Sequence, residues 1–256
     1  MDLELVAGDS IGIFEVTSPT VLLDSISITS TSSSSKPSPL KFVVNDGTLN
    51  ATSVNIHDMK VSNAITVTST NASVLFDSIT CSNVTQVDMP GGSCISVAST
   101  GGNTKLTNSV FTNLAANEST VYFYPTNGSI LVQNTLFTDC DFNLAAFGSG
   151  ALKLVEGNHM DIKVLNSTFV NIQHGAIHLV TNASTIVYDG VTVKDSQGGK
   201  YNIRTEAYDQ SNMVMQNLTM TNNTVVYGGG IFFVYNNSNV RLSSSNFTDN
   251  TALGPS

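Results

Sequence analysis

Tryptophan is absent from this chain, and lysine and arginine together number only ten in 256 residues. So thin a cationic set, with no basic run, excludes a nucleic-acid-binding surface. Charged residues make up 11% and leave a net charge of −9, while Ser, Thr and Asn fill most polar positions. No apolar run is long enough to span a bilayer as a helix. The three cysteines, Cys81, Cys94 and Cys140, are too few and too unevenly spaced for a disulfide-built fold or a zinc site. The opening MDLELVAGDSIGIF has neither the basic nor the apolar region of a secretory leader. Two readings of compartment follow: a cytosolic protein, or a fragment or mature portion of a secreted one.

What the chain does have is alternation. Hydrophobic residues reach 41% and are set every second position, enough to order a chain. In Gly175–Asp195 (GAIHLVTNASTIVYDGVTVKD) one alternation carries Ile177 and Leu179, and a polar turn follows. A second alternation carries Ile186 and Tyr188, and Val191, Val193 and Asp195 close the stretch. Period-two patterning on both sides of an Asn-rich turn reads as strand, turn, strand.

The same unit recurs. Its opening markers are Ile11, Leu40, Ile65, Ile95, Val121, Leu152, Ile177, Ile203 and Ile231. Each is followed after 16 or 17 residues by Ile28, Ile56, Cys81, Phe111, Phe137, Phe169, Val193, Met220 and Phe247 in turn. Two residues further on stand Ser30, Asp58, Asn83, Asn113, Asp139, Asn171, Asp195, Asn222 and Asp249. The marker-to-marker half is nearly constant in length, whereas the return to the next unit varies from 8 to 15 residues. Rigid spacing belongs to a packed wall and variable spacing to loops. The Ser/Pro-rich tract 29–39 lies in such a loop and reads as an insertion, not a linker.

A unit of about 27 residues with short strands and no helical periodicity fits one coil of a parallel β-helix. The prediction is therefore an all-β solenoid of about nine coils, a rod roughly 40 Å long at 4.8 Å per coil. Residues 1–256 form a single domain, either a window of a longer chain or a stacking subunit. A β-sandwich would not place Asp or Asn at one phase in successive units. The structural ladder runs Asp58, Asn83, Asn113, Asp139, Asn171, Asp195, Asn222, Asp249, and no two Asp are consecutive. Stacked carboxylates about 5 Å apart would repel, and amides between them relieve this while passing hydrogen bonds along. A second polar column, Ser53, Ser78, Asn108, Asn134, Asn166, Gly190, Asn217 and Ser244, marks another corner.

Gly228–Ala252 (GGGIFFVYNNSNVRLSSSNFTDNTA), His174–Leu179 (HGAIHL) and Asn166–Asn171 (NSTFVN) resemble right-handed parallel β-helix repeats. They are similar to the GGA-I and F-x-x-N signatures of polymorphic outer-membrane-protein repeats and related pectin-lyase-like surface proteins. The resemblance spans about Ile11 to Ala252. It implies an extracellular or cell-surface adhesin, or a carbohydrate-active enzyme. Only Gly229–Gly230–Ile231 matches the GGA position closely, and the dense N-glycosylation sequons point to a eukaryote-made chain.

Those sequons are Asn50, Asn71, Asn83, Asn117, Asn127, Asn166, Asn182, Asn217, Asn222, Asn236 and Asn246. Asn71, Asn127, Asn182 and Asn236 fall in one turn, five or six residues after the opening marker. A protruding turn is accessible to a glycosyltransferase, although Asn also suits turns for their own sake. Asn117 in a variable loop and Asn50 between two inward positions are expected to point outward. Asn83, Asn166, Asn217 and Asn222 stand in the ladder columns, where an inward amide would resist modification. Expected glycans are thus at Asn50, Asn71, Asn117, Asn127, Asn182 and Asn236. Cys81 and Cys94 are near enough to pair and leave Cys140 free; the other reading is three small buried core residues.

Catalysis needs an acid, a base and a charge stabiliser together. The only arginines, Arg204 and Arg241, have no carboxylate cluster near them in register, and Gly-His-Gly and Arg-x-Lys patterns are missing. The best remaining candidate is Asp139, Asp141 and His174, of which Asp141 and His174 fall at nearly one phase on adjacent coils. Asp139 already belongs to the ladder, and His174 precedes a Gly175 turn. No metal-binding spacing and no cofactor motif is recognisable. Tyr122, Tyr124 and Tyr235 lie on exposed turns or strand faces but make a weak sugar platform. The expectation is a non-catalytic, glycosylated extracellular or cell-surface scaffold, adhesive or filament-forming. The alternatives are a polysaccharide lyase or hydrolase, or a carbohydrate-binding module. Expected partners are a second copy end to end or a continuing chain, with glycans or another surface protein as further possibilities.

Overall fold

Alternation at period two makes strands, and a polar residue that tolerates a left-handed backbone ends each of them. The computed structural model describes residues 3–7, 14–30, 39–87, 91–142, 149–226, 230–235 and 237–254. Among these are 31 β-strands and no helix. The strands pair in parallel with the strand one coil away and so build three long walls. The first wall holds nine strands, from Phe14–Thr17 to Ile231–Tyr235, and the second nine, from Thr20–Asp24 to Asn239–Ser243. The third holds ten, from Leu3–Ala7 to Asn246–Thr248. A short fourth strip joins Gln197–Gly198, Thr224–Val225 and Thr251–Ala252. The chain is a parallel β-solenoid. Gly175–Asp195 supplies one strand to each wall in turn: Ile177–Asn182, Thr185–Asp189 and Thr192–Lys194.

The opening markers stack. Leu40, Ile65, Ile95, Val121, Leu152, Ile177, Ile203 and Ile231 are in direct register up the first wall. The residue under Leu40 is Phe14, not Ile11, which lies outside the described residues. The closing markers run Leu5, Ile28, Ile56, Cys81, Phe111, Phe137, Phe169, Val193, Met220 and Phe247 up the third wall. Phe111, Phe137 and Phe169 lie face to face, with centroids 4.9 and 4.8 Å apart; these gaps match the strand spacing. A buried polar pair, Tyr188 Oη to Thr205 Oγ1 at 3.0 Å, lies within the core. Burial pushes the Tyr188 hydroxyl's pKa up.

Both polar columns are corners of left-handed backbone. Asp58, Asn83, Asn113, Asp139, Asn171, Asp195, Asn222 and Asp249 have φ between 51° and 54°. Every residue of the second column is likewise left-handed, Gly190 included. Asn and Asp populate this region more readily than other side-chain-bearing residues. Along the Asp/Asn column the amides link the coils: Asn83 Nδ2 donates to Asp58 Oδ1 at 2.9 Å, Asn113 to Asn83 at 2.6 Å, Asn171 to Asp139 at 2.7 Å and Asn222 to Asp195 at 2.9 Å.

These corner side chains are exposed, which corrects the expectation that Asn83, Asn166, Asn217 and Asn222 point inward. The residue after a corner turns inward instead. There it accepts the backbone N–H of the coil below, as when Ile79 donates to Ser109 Oγ, Thr135 to Ser167 Oγ and Ser196 to Asn223 Oδ1. This satisfies backbone donors that a tight turn would otherwise orphan.

Of the expected insertion at 29–39, Thr29 and Ser30 belong to the strand Ile26–Ser30. Residues 31–38 lie outside the described residues.

Asp77, one residue before the second corner, gathers three donors. Thr107 Oγ1 and Asn108 Nδ2 reach its Oδ1 at 2.6 and 2.8 Å, and Ser78 Oγ reaches Oδ2 at 3.2 Å. The Thr107 bond foremost lowers its pKa; burial opposes it, and the weaker bonds from Asn108 and Ser78 add to the lowering. A carboxyl with a depressed folded pKa adds stability above its unfolded value of about 3.9 and loses it as pH falls through the folded value. Asp77→Asn is expected to flatten the acid limb of the urea-midpoint profile below about pH 4. An unchanged slope would remove Asp77 from the account of acid stability.

Candidate functional site

Outward positions of the first wall sit one residue after each opening marker. In consecutive coils they read Tyr122, Lys153, His178 and Arg204, in direct register. Lys153 is 8% and His178 6% exposed, low values for outward residues on a rod. Glu118 Oε2 lies 3.4 Å from Lys153 Nζ, which also stands 5.5 Å from the Tyr122 ring centroid. Arg204 forms an ion pair with Glu206, two residues on and on the same face. Tyr208 Oη donates to Glu206 Oε2 at 2.8 Å, a bond that, with burial, pushes the Tyr208 pKa up. The pairing of Gly150–Asn158 with Ile177–Asn182 slips by one residue between Leu154 and Gly157, a bulge that bends the wall near Lys153.

This row went unread in the sequence: Arg204 has one carboxylate beside it, Glu206, though not a carboxylate cluster. The signal was present in Arg204-Thr205-Glu206, since two residues apart in a strand means one face. Lys153 and His178 are visible only once the coils are in register. Chemically the row holds two cations, Lys153 and Arg204, each with a carboxylate beside it, Glu118 and Glu206.

His174 Nε2 lies 3.7 Å from Asp141 Oδ1, so the two do meet across adjacent coils. Asp139 stays in the ladder, accepting from Asn171. His174 has φ +73° and its N–H donates to Gln197 O at 2.7 Å, the geometry of a corner. Asp141 is exposed, and nothing described assembles a third group around the pair. No cluster of three or more His, Cys, Asp or Glu side chains that could hold a metal occurs among the described residues. Inside the rod, a void of about 10 Å³ is lined by Phe123, Ile130, Leu152, Leu154, Ile177 and Leu179, among others. It has room for about one water and no ligand.

Cys81 and Cys94 form a disulfide with Cα atoms 6.5 Å apart, and Cys140 is a buried free thiol. Tyr122 is half-buried and Tyr124 39% exposed. Tyr235 closes the last first-wall strand. Among the sequons, Asn50, Asn71 and Asn127 are exposed, while Asn117 and Asn182 are half-buried. Asn236 lies outside the described residues. In the shared turn Asn71 and Asn127 are the left-handed residues, whereas Asn182 precedes the left-handed Ala183.

No protein-family model matches the chain, and no curated protein matches it in sequence. Among solved structures the chain is similar to the A-module of the mannuronan C-5 epimerase AlgE6 of Azotobacter vinelandii. That likeness has 9% identity and a TM-score of 0.29, covering 100% of this chain and 91% of that one. At that level it carries no argument about activity.

Proposed function

We propose that this chain is a non-catalytic, glycosylated scaffold of the extracellular space or cell surface, adhesive or filament-forming. The observation that carries the reading is the continuous stack of inward markers up the first wall, from Phe14 to Ile231. A rod whose core column runs through nine strands, past two local bulges, has the form of a spacer, each coil stabilised by its neighbours. The Cys81–Cys94 bridge suits an oxidising compartment. No helix among the described residues is long and apolar enough to cross a membrane.

Filament growth would place a second copy on the face formed by Ile231–Tyr235, Asn239–Ser243 and Asn246–Thr248, where Leu242 and Phe247 are 48% and 47% exposed. Val21 and Leu23 of the copy would continue the inward column above Val240 and Leu242. The alternative, a polysaccharide-active enzyme or carbohydrate-binding module, draws its support from the Tyr122–Lys153–His178–Arg204 row.

One set of measurements separates these. Chain secreted from a eukaryotic host is incubated with acidic and neutral polysaccharides and also concentrated for sedimentation and microscopy. The scaffold reading expects unmodified polysaccharide and end-to-end oligomers that Leu242→Asp disperses. Polysaccharide turnover lost in Arg204→Met would transfer the function to the alternative. A strict monomer at high concentration would remove the filament.

A further inference from the structure

The eleven sequon asparagines are not equivalent in the folded rod, because the amide nitrogen that would receive a sugar is already engaged in some of them. Asn71 Nδ2 donates to Asp46 Oδ1 (3.2 Å), Asn83 to Asp58 (2.9 Å), Asn182 to Asn158 (2.9 Å), Asn217 to Asp189 (2.8 Å) and Asn222 to Asp195 (2.9 Å). In each case the nitrogen is aimed at the neighbouring coil, about 4.8 Å away, a gap that leaves no room for a sugar ring. Asn83 is held on both sides, since its Oδ1 accepts from Asn113.

Four others are exposed and their nitrogens make no such bond: Asn50, Asn127, Asn166 and Asn246. Asn50 stands on the outer face of the second-wall strand Thr48–Thr52. Asn127 is the left-handed residue at the corner entering that wall, and Asn166 the left-handed residue at the corner leaving it. Asn246 opens the third-wall strand just beyond that second corner. The ladder is interrupted above Asn166 by Gly190. A Cβ there would fall 2.4 Å from Asn166 Oδ1, so the asparagine occupies space that any larger residue would fill. Asn117 is half-buried, with its backbone N–H held by Gln86 Oε1 at 2.9 Å.

We propose that Asn50, Asn127, Asn166 and Asn246 carry N-linked glycans, so that sugar gathers on the second wall and around its two corners, with none of the four on a first-wall strand. The inference rests on the secreted reading above and sharpens it into a rod whose sugars are unevenly distributed around its circumference. The acceptor step is a substitution at the anomeric carbon of a lipid-diphosphate-linked oligosaccharide. The Asn Nδ2–C1 bond forms, the C1–O bond to the diphosphate breaks, the lipid diphosphate leaves and Nδ2 gives up one proton. A chain modified while extended must still close into coils. At the four open positions the sugar stays in solvent, whereas at the ladder positions it would displace the next coil.

The test is site mapping of chain secreted from a eukaryotic host, by enzymatic deglycosylation in ¹⁸O-water, which converts each occupied Asn to labelled Asp. Label is expected at Asn50, Asn127, Asn166 and Asn246, with little at Asn71, Asn83, Asn182, Asn217 and Asn222. Asn127→Gln and Asn166→Gln should each remove the mass of one glycan, and Asn83→Gln none. Label at the ladder asparagines equal to that at the four open ones would overturn this assignment while leaving the secreted reading in place. No label at any sequon in secreted chain would overturn the glycoprotein reading itself.

Discussion

Phe137→Ala is expected to cost about 3–5 kcal/mol of unfolding free energy, the range for truncating a buried phenylalanine. Phe137 is fully buried and lies between Phe111 and Phe169, with interplanar angles of 12° and 2°. Removing it takes one ring out of a continuous stack, so both neighbours lose a face. The walls cannot close inward to fill the gap, because the coils above and below fix their separation through the strand ladders. The cavity therefore persists and its cost adds to the lost transfer energy. Phe247→Ala is the control: the same residue type in the same column, but 47% exposed in the last third-wall strand. Its cost should be a fraction of the first. Urea midpoints of the two variants are the measurement, and equal midpoints would contradict a core organised as one column.

How much of this was legible in the chain depends on which physical signal each residue carries. Leu40, Ile65 and their successors announce themselves because an inward apolar residue must recur at the length of the coil. Ile11 misled because it is as apolar as Phe14 and only three residues away, and spacing alone does not choose between them. Asp58 and Asn83 revealed a corner, since a left-handed residue is most readily Asn, Asp or Gly. The side of the wall on which their amides stand was not legible, because a polar column reads alike on either face. Ser109 and Ser167, which do face inward, are ordinary turn residues in the sequence; their burial follows from the backbone donor each of them satisfies.

The charged row shows the same limit from the other side. Lys153, His178 and Arg204 stand 25 or more residues apart along the chain and become one surface only when parallel register places them in adjacent coils. A solenoid converts distant residues into neighbours through its coil length, and variable loops hide that length from a reader of the sequence. The ladder was easier to see because its residue types are restricted by backbone conformation. The row is not so restricted, and its only local trace is the Arg-Thr-Glu at 204–206.

Removing the Cys81–Cys94 bridge is expected to cost about 2–4 kcal/mol, as for native disulfides closing loops of moderate length. The two cysteines are 13 residues apart and tie the third-wall strand Thr80–Gln86 to the first-wall strand Gly92–Thr100. They straddle one of the variable returns, so the bridge limits the freedom of a segment that the strand ladders do not fix. Alanine is the suitable replacement, because both sulfurs are fully buried and a serine hydroxyl there would lack a partner. In the folded chain burial foremost pushes the Cys140 pKa up to about 12. Urea exposes that thiol, so the midpoints are taken at a pH of about 6, where an exposed thiol stays protonated and slow to exchange. Reducing agent should therefore lower the wild-type urea midpoint to that of Cys81→Ala/Cys94→Ala and leave the double variant unmoved. A wild-type midpoint indifferent to reductant would mean the bridge adds nothing to stability, and the strongest physical reason for placing this rod in an oxidising compartment would go with it.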